Sequence, residues 1–220
     1  MCISLGNCFK VEHWRGDLDK TSIFNCLLAS KLVKRCIICS WTKPDTRRFK
    51  LNVDGSSKGN PDISGGEGIL RNDSGDMLFA FTRDYGRHSS LLSEFRALLE
   101  GLKVCLSYNI KGILIESDSK CLINMISTGS WPWYLSAIGE SIVTLMASIE
   151  AVLHHVFRVS NSAADWLANF GVQCLHDQDF SSLEHDHLRS LCAIVKLDTD
   201  GVSFIRNRYS SLSFSVPQVM

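Results

Sequence analysis

The sequence predicts a mixed α/β domain, a five-stranded sheet flanked by helices, between about Arg47 and Cys174. Three observations carry this expectation. Phe49, Leu51 and Val53 alternate with Lys50, Asn52 and Asp54, the period of two that a half-buried strand requires. Leu91, Phe95, Leu98, Leu102 and Cys105 recur at spacings of four, three, four and three, the stripe of an amphipathic helix. Polar turn clusters then separate short apolar runs in the order βββαβα(α)βα, a hairpin sheet extended through helical crossovers.

Taken in order, the first strand is expected to stop at Asp54-Gly55, a dipeptide that opens turns. A glycine-rich polar loop through Gly59-Asn60-Pro61 leads to a second strand near Glu67 to Arg71. Asn72-Asp73-Ser74-Gly75-Asp76 predicts a hairpin turn into a third strand near Met77 to Arg83. After the Leu91 helix, Gly112 opens Ile113-Leu114-Ile115, short and bounded as a buried strand is. Ser117-Asp118-Ser119 then offers caps for a helix over Leu122 to Ile126. Ile138 to Ala151 predicts a helix and Val152 to Val159 a fifth strand. Ser160-Asn161-Ser162 caps a last helix carrying Trp166, Leu167 and Phe170.

The flanks carry weaker patterns. Residues 1–46 are expected to form an extension, a helix with a connector, closed by the linker Trp41 to Thr46, where Pro44 biases its neighbour toward extended backbone. Residues 175–220 are expected to be a poorly ordered tail whose His176, His185 and His187 are solvated. At 220 residues with 45% hydrophobic content, the chain buries one full core. It has no bilayer-length apolar run and no signal-peptide order at its start, so a soluble, intracellular protein without a membrane partner is expected. Nine scattered cysteines suit free thiols in a reducing compartment. Cys36 and Cys39 have zinc-ligand spacing, but no second pair follows to complete a site.

The 23 basic and 23 acidic residues cancel, which excludes the broad basic excess of tight non-specific nucleic-acid binders. Between Arg47 and Cys174 there are 12 basic and 13 acidic residues, a balance that two bound divalent cations would turn positive.

Four acids stand where chemistry is placed in α/β folds. Taken singly, each has a structural reading beside the functional one. Asp54 closes a strand and suits a turn; Glu94 borders the apolar stripe near a helix start, where an acid complements the dipole. Asp118 follows a buried strand at its carboxyl end and equally suits an N-cap. Asp165, three after Ser162, suits a capping box.

Their neighbours give a larger pattern: Lys50-Leu51-Asn52-Val53-Asp54-Gly55-Ser56-Ser57-Lys58-Gly59-Asn60-Pro61, then Ser93-Glu94-Phe95-Arg96-Ala97-Leu98, Glu116-Ser117-Asp118-Ser119, and Asn161-Ser162-Ala163-Ala164-Asp165-Trp166-Leu167-Ala168. Block by block this resembles the ribonuclease H family, most closely its plant and retrotransposon-derived branch, over about Trp41 to Cys174. The resemblance implies an endonuclease that hydrolyses the RNA strand of RNA/DNA hybrids. Asp54, Glu94, Asp118 and Asp165 would hold two Mg²⁺ ions, with Mn²⁺ as a substitute. It also implies substrate contacts from Gly55, Ser56, Lys58, Asn60 and Arg158, while the glycine-rich loop Gly55 to Gly59 equally reads as a plain flexible turn. Hard divalent cations take oxygen ligands, and a pair of them clamps both oxygens of an in-line phosphoryl displacement.

The chain departs from the family pattern in places. His155, ten before Asp165, falls in the expected strand and reads as a core or surface residue, while Arg158 matches the branch. Ser89-Ser90 stand where some relatives carry paired asparagines, and Asp62 to Gly66 reshape the loop after Pro61. Trp131-Pro132-Trp133-Tyr134 lacks the lysines and arginines of a DNA-gripping protrusion and is expected to pack between a loop and the sheet. These departures keep a second reading open, a nucleic-acid-binding or interaction module of weak or no catalytic activity.

Overall fold

The computed structural model describes residues 32–174, 176–184 and 186–211. The extension up to residue 31 and the end of the serine-rich stretch lie outside them. The chain divides into two units, residues 1–37 with 207–220, and residues 38–206. In the first, strand β1 (Leu32–Cys39) pairs with β8 (Phe204–Ser211).

The second unit holds a six-stranded sheet. Its elements are β2 (Phe49–Ser57), β3 (Asp62–Arg71), β4 (Met77–His88), α1 (Ser90–Ser107), β5 (Ile113–Ser117), α2 (Lys120–Thr128), α3 (Ser136–Ser148), β6 (Val152–His155), α4 (Ser162–Cys174), β7 (Gln178–Phe180) and α5 (Arg189–Thr199). The spatial order is β6-β5-β2-β3-β4-β7. β2, β3 and β4 form an antiparallel meander, β5 and β6 join β2 in parallel, and β7 closes the far edge antiparallel to β4. The parallel neighbours are reached through helices, as parallel pairs require.

Local chemistry explains the boundaries. Asn72 Oδ1 accepts from the amides of Ser74 and Asp76 at 3.0 and 2.9 Å, and Gly75 takes φ of +93°, which closes the β3–β4 hairpin. Ser89 and Ser119 cap α1 and α2 by accepting from Leu92 N and Leu122 N, and Gly129 ends α2 in the left-handed region. The alternating faces of the sheet bury two cores. On one, Leu51, Val53, Leu70, Phe79 and Phe81 meet Phe95, Leu98 and Leu102 of α1 and, beyond it, Leu122 and Ile142. On the other, Ile69 and Ala80 meet Ala163 and Leu167 of α4 and Leu191 and Val195 of α5.

Four expectations are corrected. β2 does not stop at Gly55 but runs to Ser57, still paired with β3 through Ser57↔Ser64. β6 ends at His155; the backbone turns there and forms a single 3₁₀ turn over Arg158–Ser160, which brings Asn161 back against β2, its Nδ2 donating to Val53 O at 3.0 Å. The sheet has a sixth strand, β7, and the expected loose tail contains α5, because Leu188, Leu191 and Val195 recur at helical spacing and bury against the sheet. The linker is also part of this core: Trp41 is only 2% exposed and donates from Nε1 to Asn52 Oδ1 at 3.0 Å.

α5 is tied to the sheet by a buried ion pair, Arg71 Nη1 to Asp198 Oδ2 at 2.8 Å, both side chains nearly inaccessible. Removing one partner of such a pair strands the other charge in a dry site. Asp198→Ala is therefore expected to lower the unfolding free energy by about 3–5 kcal/mol. Urea denaturation followed by circular dichroism checks this, and a loss below about 1 kcal/mol, the range of exposed pairs, would show that α5 is not held this way.

Candidate metal centre

The site follows from strand register. β2 and β5 run parallel with Asn52 opposite Glu116, so two residues further along Asp118, just past the carboxyl end of β5, emerges beside Asp54, which is still within β2. Ser119 caps α2, which leaves the Asp118 carboxylate out of the capping role the sequence also allowed. Asp54 Oδ1 accepts from Gly55 N at 2.9 Å, which sets its rotamer.

Glu94 arrives from the other face of the sheet, one turn into α1. It reaches the site because Gly55 has no side chain: a Cβ there would lie 2.3 Å from Glu94 N and 2.4 Å from Ser93 C. Gly55 is thus needed for close approach of helix and strand rather than for a flexible loop. Carboxylate oxygens of Asp54, Glu94 and Asp118 lie within 4.8 Å of one another. Asp165, on the first turn of α4, stands at the rim, where its Oδ1 accepts from Arg158 Nη2.

Electrostatics shows how little compensates this cluster. Burial, then the Asp118 charge, pushes Asp54 up to about 7, with Arg158 opposing and Asp165 adding to the shift. Glu94 is raised well above the usual carboxylate range by burial and then by Asp54 and Asp118. Asp118 is raised by burial, with Arg158 and, more weakly, His155 opposing. Glu94 Oε2 is buried with no hydrogen-bond partner. Close, desolvated carboxylates with unmet acceptor capacity are the donor set of a hard divalent cation, and the residues present fit one.

The remaining residues singled out from sequence fall around this centre. Ser56 turns a buried, unpartnered hydroxyl inward on β2, and Lys58 projects into solvent. Asn60 Oδ1 accepts from Ser90 N at 3.3 Å, which ties the β2–β3 turn to the start of α1. Gly55 is buried against α1, and its amide is already committed to Asp54. His155 lies half-buried on β6 with Phe157 edge-on to it at 5.6 Å. The aromatic segment divides: Trp131 packs against the α1-side core, whereas Trp133 is 87% exposed.

Sequence reasoning missed Glu67, which pairs in register with Asp54 on β3 and shares its sheet face. The signal was present in the alternation of Gly65, Glu67, Ile69 and Arg71, but it required knowing that Asp54 and Glu67 lie side by side.

A mixed sheet with a β2–β3–β4 meander, a parallel β5 and carboxylates gathered on β2 and at the end of β5 defines a ribonuclease H-like domain. The chain belongs to the family described as reverse transcriptase-like, whose model matches residues 52–171. It is 28% identical over 166 residues to an Arabidopsis thaliana protein named "Putative ribonuclease H protein", an alignment covering 73% of this chain but 26% of that one. The chain thus spans about a quarter of that relative's length. Among solved structures, it resembles ribonuclease H1 of Halobacterium salinarum (TM-score 0.54, 22% identity, 58% of this chain and 98% of that one). It also resembles the N-terminal ribonuclease H domain of a Mycobacterium tuberculosis protein (0.55, 22%, 59% and 96%). A third is LC11 ribonuclease H1, from compost metagenomic material, in complex with an RNA/DNA hybrid (0.54, 18%, 57% and 97%). These identities establish the fold. Among the described residues no helix is long and apolar enough to cross a membrane.

The raised carboxylates set the sign of a pH dependence. Asp54 titrates near 3.8 when unfolded and near 7 when folded, so between these values the folded protein holds a proton the unfolded chain has released. Stability without metal should therefore fall as pH rises from about 4 through 7, by on the order of 4 kcal/mol from Asp54 alone. Asp54→Asn should flatten much of this slope, leaving the part due to Glu94 and Asp118. Urea unfolding in chelator at pH 5 and 8 measures it, and equal slopes in the two proteins would contradict the burial of this charge.

Proposed function

We propose that the domain hydrolyses the RNA strand of RNA/DNA hybrids, using divalent cations held by Asp54, Glu94, Asp118 and Asp165. The single observation that carries the reading is the convergence of three carboxylates, from β2, α1 and the end of β5, within 4.8 Å, in a fold shared with ribonucleases H. Held by these carboxylates, two such cations would supply activation of the attacking water and stabilisation of the departing oxygen. Mg²⁺ suits the all-oxygen donor set, and Mn²⁺ accepts the same ligands.

The chain's own residues supply the rest. The Asp54 carboxylate is held in place by Gly55 N, and Glu94 by the contact of α1 with Gly55, so both are positioned before substrate arrives. Lys58, exposed on the β2–β3 turn, and Asn60, beside the start of α1, lie where a phosphate backbone would cross. Selectivity for RNA in the cut strand requires contacts to 2′-hydroxyls, which DNA lacks; Asn60, exposed beside the start of α1, is the polar candidate, whereas the Ser56 hydroxyl is buried. The hybrid-bound LC11 structure supports the substrate class by likeness of fold.

One observation favours a second reading, a hybrid-binding module without turnover: Arg158 occupies the carboxylate of Asp165 that a second cation would need. A single assay separates the two. With Mg²⁺, the purified protein is expected to cut labelled RNA/DNA hybrid much faster than DNA/DNA duplex. Asp118→Asn should abolish cutting while preserving the circular dichroism spectrum. Binding should weaken as salt rises, since phosphate contacts release counterions. Hybrid retained in a gel but never cut would establish the second reading, and equal cutting of both duplexes would overturn the first.

A further inference from the structure

Glu67 is a carboxylate for which neither the fold nor the four-acid site supplies a reason. It sits in the middle of β3, between Asp54 on β2 and Thr82 on β4, at 0% exposure. Neither of its oxygens has a hydrogen-bond partner among the described residues. Unpaired burial of a carboxylate costs several kcal/mol unless it is protonated or a cation compensates it (on the order of 2–7 kcal/mol even for neutral polar groups). The surroundings nevertheless make room for it. A Cβ on Gly65 would stand 3.0 Å from Glu67 Oε1, and one on Gly171 of α4 would stand 3.6 Å from it.

No basic side chain answers it. The charges that act on Glu67 most strongly are those of Asp54, Glu94 and Asp165, in that order, and all three are acids of the candidate metal centre. The lysine and arginine on the same sheet face, Lys50 and Arg71, are already paired with Glu116 and Asp198. Thr82 Oγ1, the opposite neighbour, also lacks a partner. Among the described residues the oxygen ligands nearest to Glu67 with which a cation could compensate its charge are those of the Asp54 cluster, its register neighbour on β2.

We propose that Glu67 is a fifth carboxylate of the divalent-cation site, acting from β3 beside Asp54. It is not among the three groups that converge within 4.8 Å, so it acts by its charge and not as a direct ligand. The inference rests on the metal reading given under Proposed function and deepens it: the site would carry more negative charge than its surface ligands supply, and would bind a hard divalent cation correspondingly tighter.

Mn²⁺ binding to the metal-free full-length chain, measured by isothermal titration calorimetry, tests this without reference to activity. Glu67→Gln keeps shape and removes charge; it should weaken Mn²⁺ binding roughly tenfold, the scale of one unit charge several ångströms from a divalent ion in a partly screened site. Glu67→Asp, which keeps the charge, should retain most of the affinity. Affinity within twofold of wild type in Glu67→Gln would overturn the role of Glu67 alone. Absence of Mn²⁺ binding in the wild type would overturn the metal reading and the role of Glu67 with it. A Glu67→Asp variant as weak as Glu67→Gln would show that packing, and not charge, is what position 67 contributes.

Discussion

Asn52 uses every hydrogen-bonding position of its carboxamide inside the protein. Its Oδ1 accepts from Trp41 Nε1 at 3.0 Å and Arg71 Nη2 at 2.8 Å; its Nδ2 donates to Glu116 Oε2 at 3.0 Å and Asn161 Oδ1 at 3.1 Å. Around it, Lys50 pairs with Glu116 at 2.6 Å and Arg71 with Asp198 at 2.8 Å, and Arg71 lies over the Trp41 ring at 3.7 Å. Two cations face two anions, so the network is neutral, and its charged members are bonded. A half-satisfied network of this kind would be worse than an apolar core. With only Arg71 Nε left without a partner among its described members, it fixes the linker, β2, β3, β5, the start of α4 and α5 in one arrangement.

The same face of the sheet continues without such compensation. Two residues beyond Asn52, Asp54 meets Asp118, Glu94 and Glu67; among the described residues the arginine that acts on them, Arg158, is exposed and engaged with Asp165, and His155 opposes the shift of Asp118 only weakly. The contrast between the two rows is the physical content of the site. Lys50 and Arg71 make the first row self-sufficient and rigid. The second inherits that rigidity, since Asp54 and Asp118 sit on the strands the first row locks together. Its carboxylates cannot spread apart to relieve their repulsion, so they either hold protons or take up a cation.

Much of this was legible in the sequence where a short-range rule acts. The period of two in Phe49 to Asp54, the helical stripe from Leu91 to Cys105, the turn at Asn72 to Asp76 and the cap at Ser119 each depend on residues close in the chain, and the structure has them. What was hidden depends on approach between distant segments. Gly55 reads as a turn residue because Asp-Gly commonly is one, whereas its missing side chain actually lets α1 lie on β2. Val152 to Val159 looks like one strand, but the bond from Asn161 to Val53 O draws the chain away after His155. α5 carries a helical spacing of leucine and valine, yet the polar residues between them masked it. Of the site, the order of the four acids was legible; the closeness of three, the pairing of the fourth with Arg158 and the presence of Glu67 were not, since register decides them.

The network also bears on what the folding unit is. The family match covers residues 52–171, and Trp41 and Asp198 lie outside it on either side. Both nevertheless converge on Asn52, Trp41 directly and Asp198 through Arg71. A chain beginning after Trp41 would open a ring-sized void under Arg71 and leave one acceptor position of Asn52 empty. One ending at Cys174 would leave Arg71 buried without its carboxylate and strip Leu188, Leu191 and Val195 from Ile69 and Ala80. Either loss falls on the residue two steps before Asp54. The segments added around the shared fold are thus part of what positions its carboxylates, and the smallest chain expected to hold the site in place runs from Trp41 to Asp198 rather than from Arg47 to Cys174.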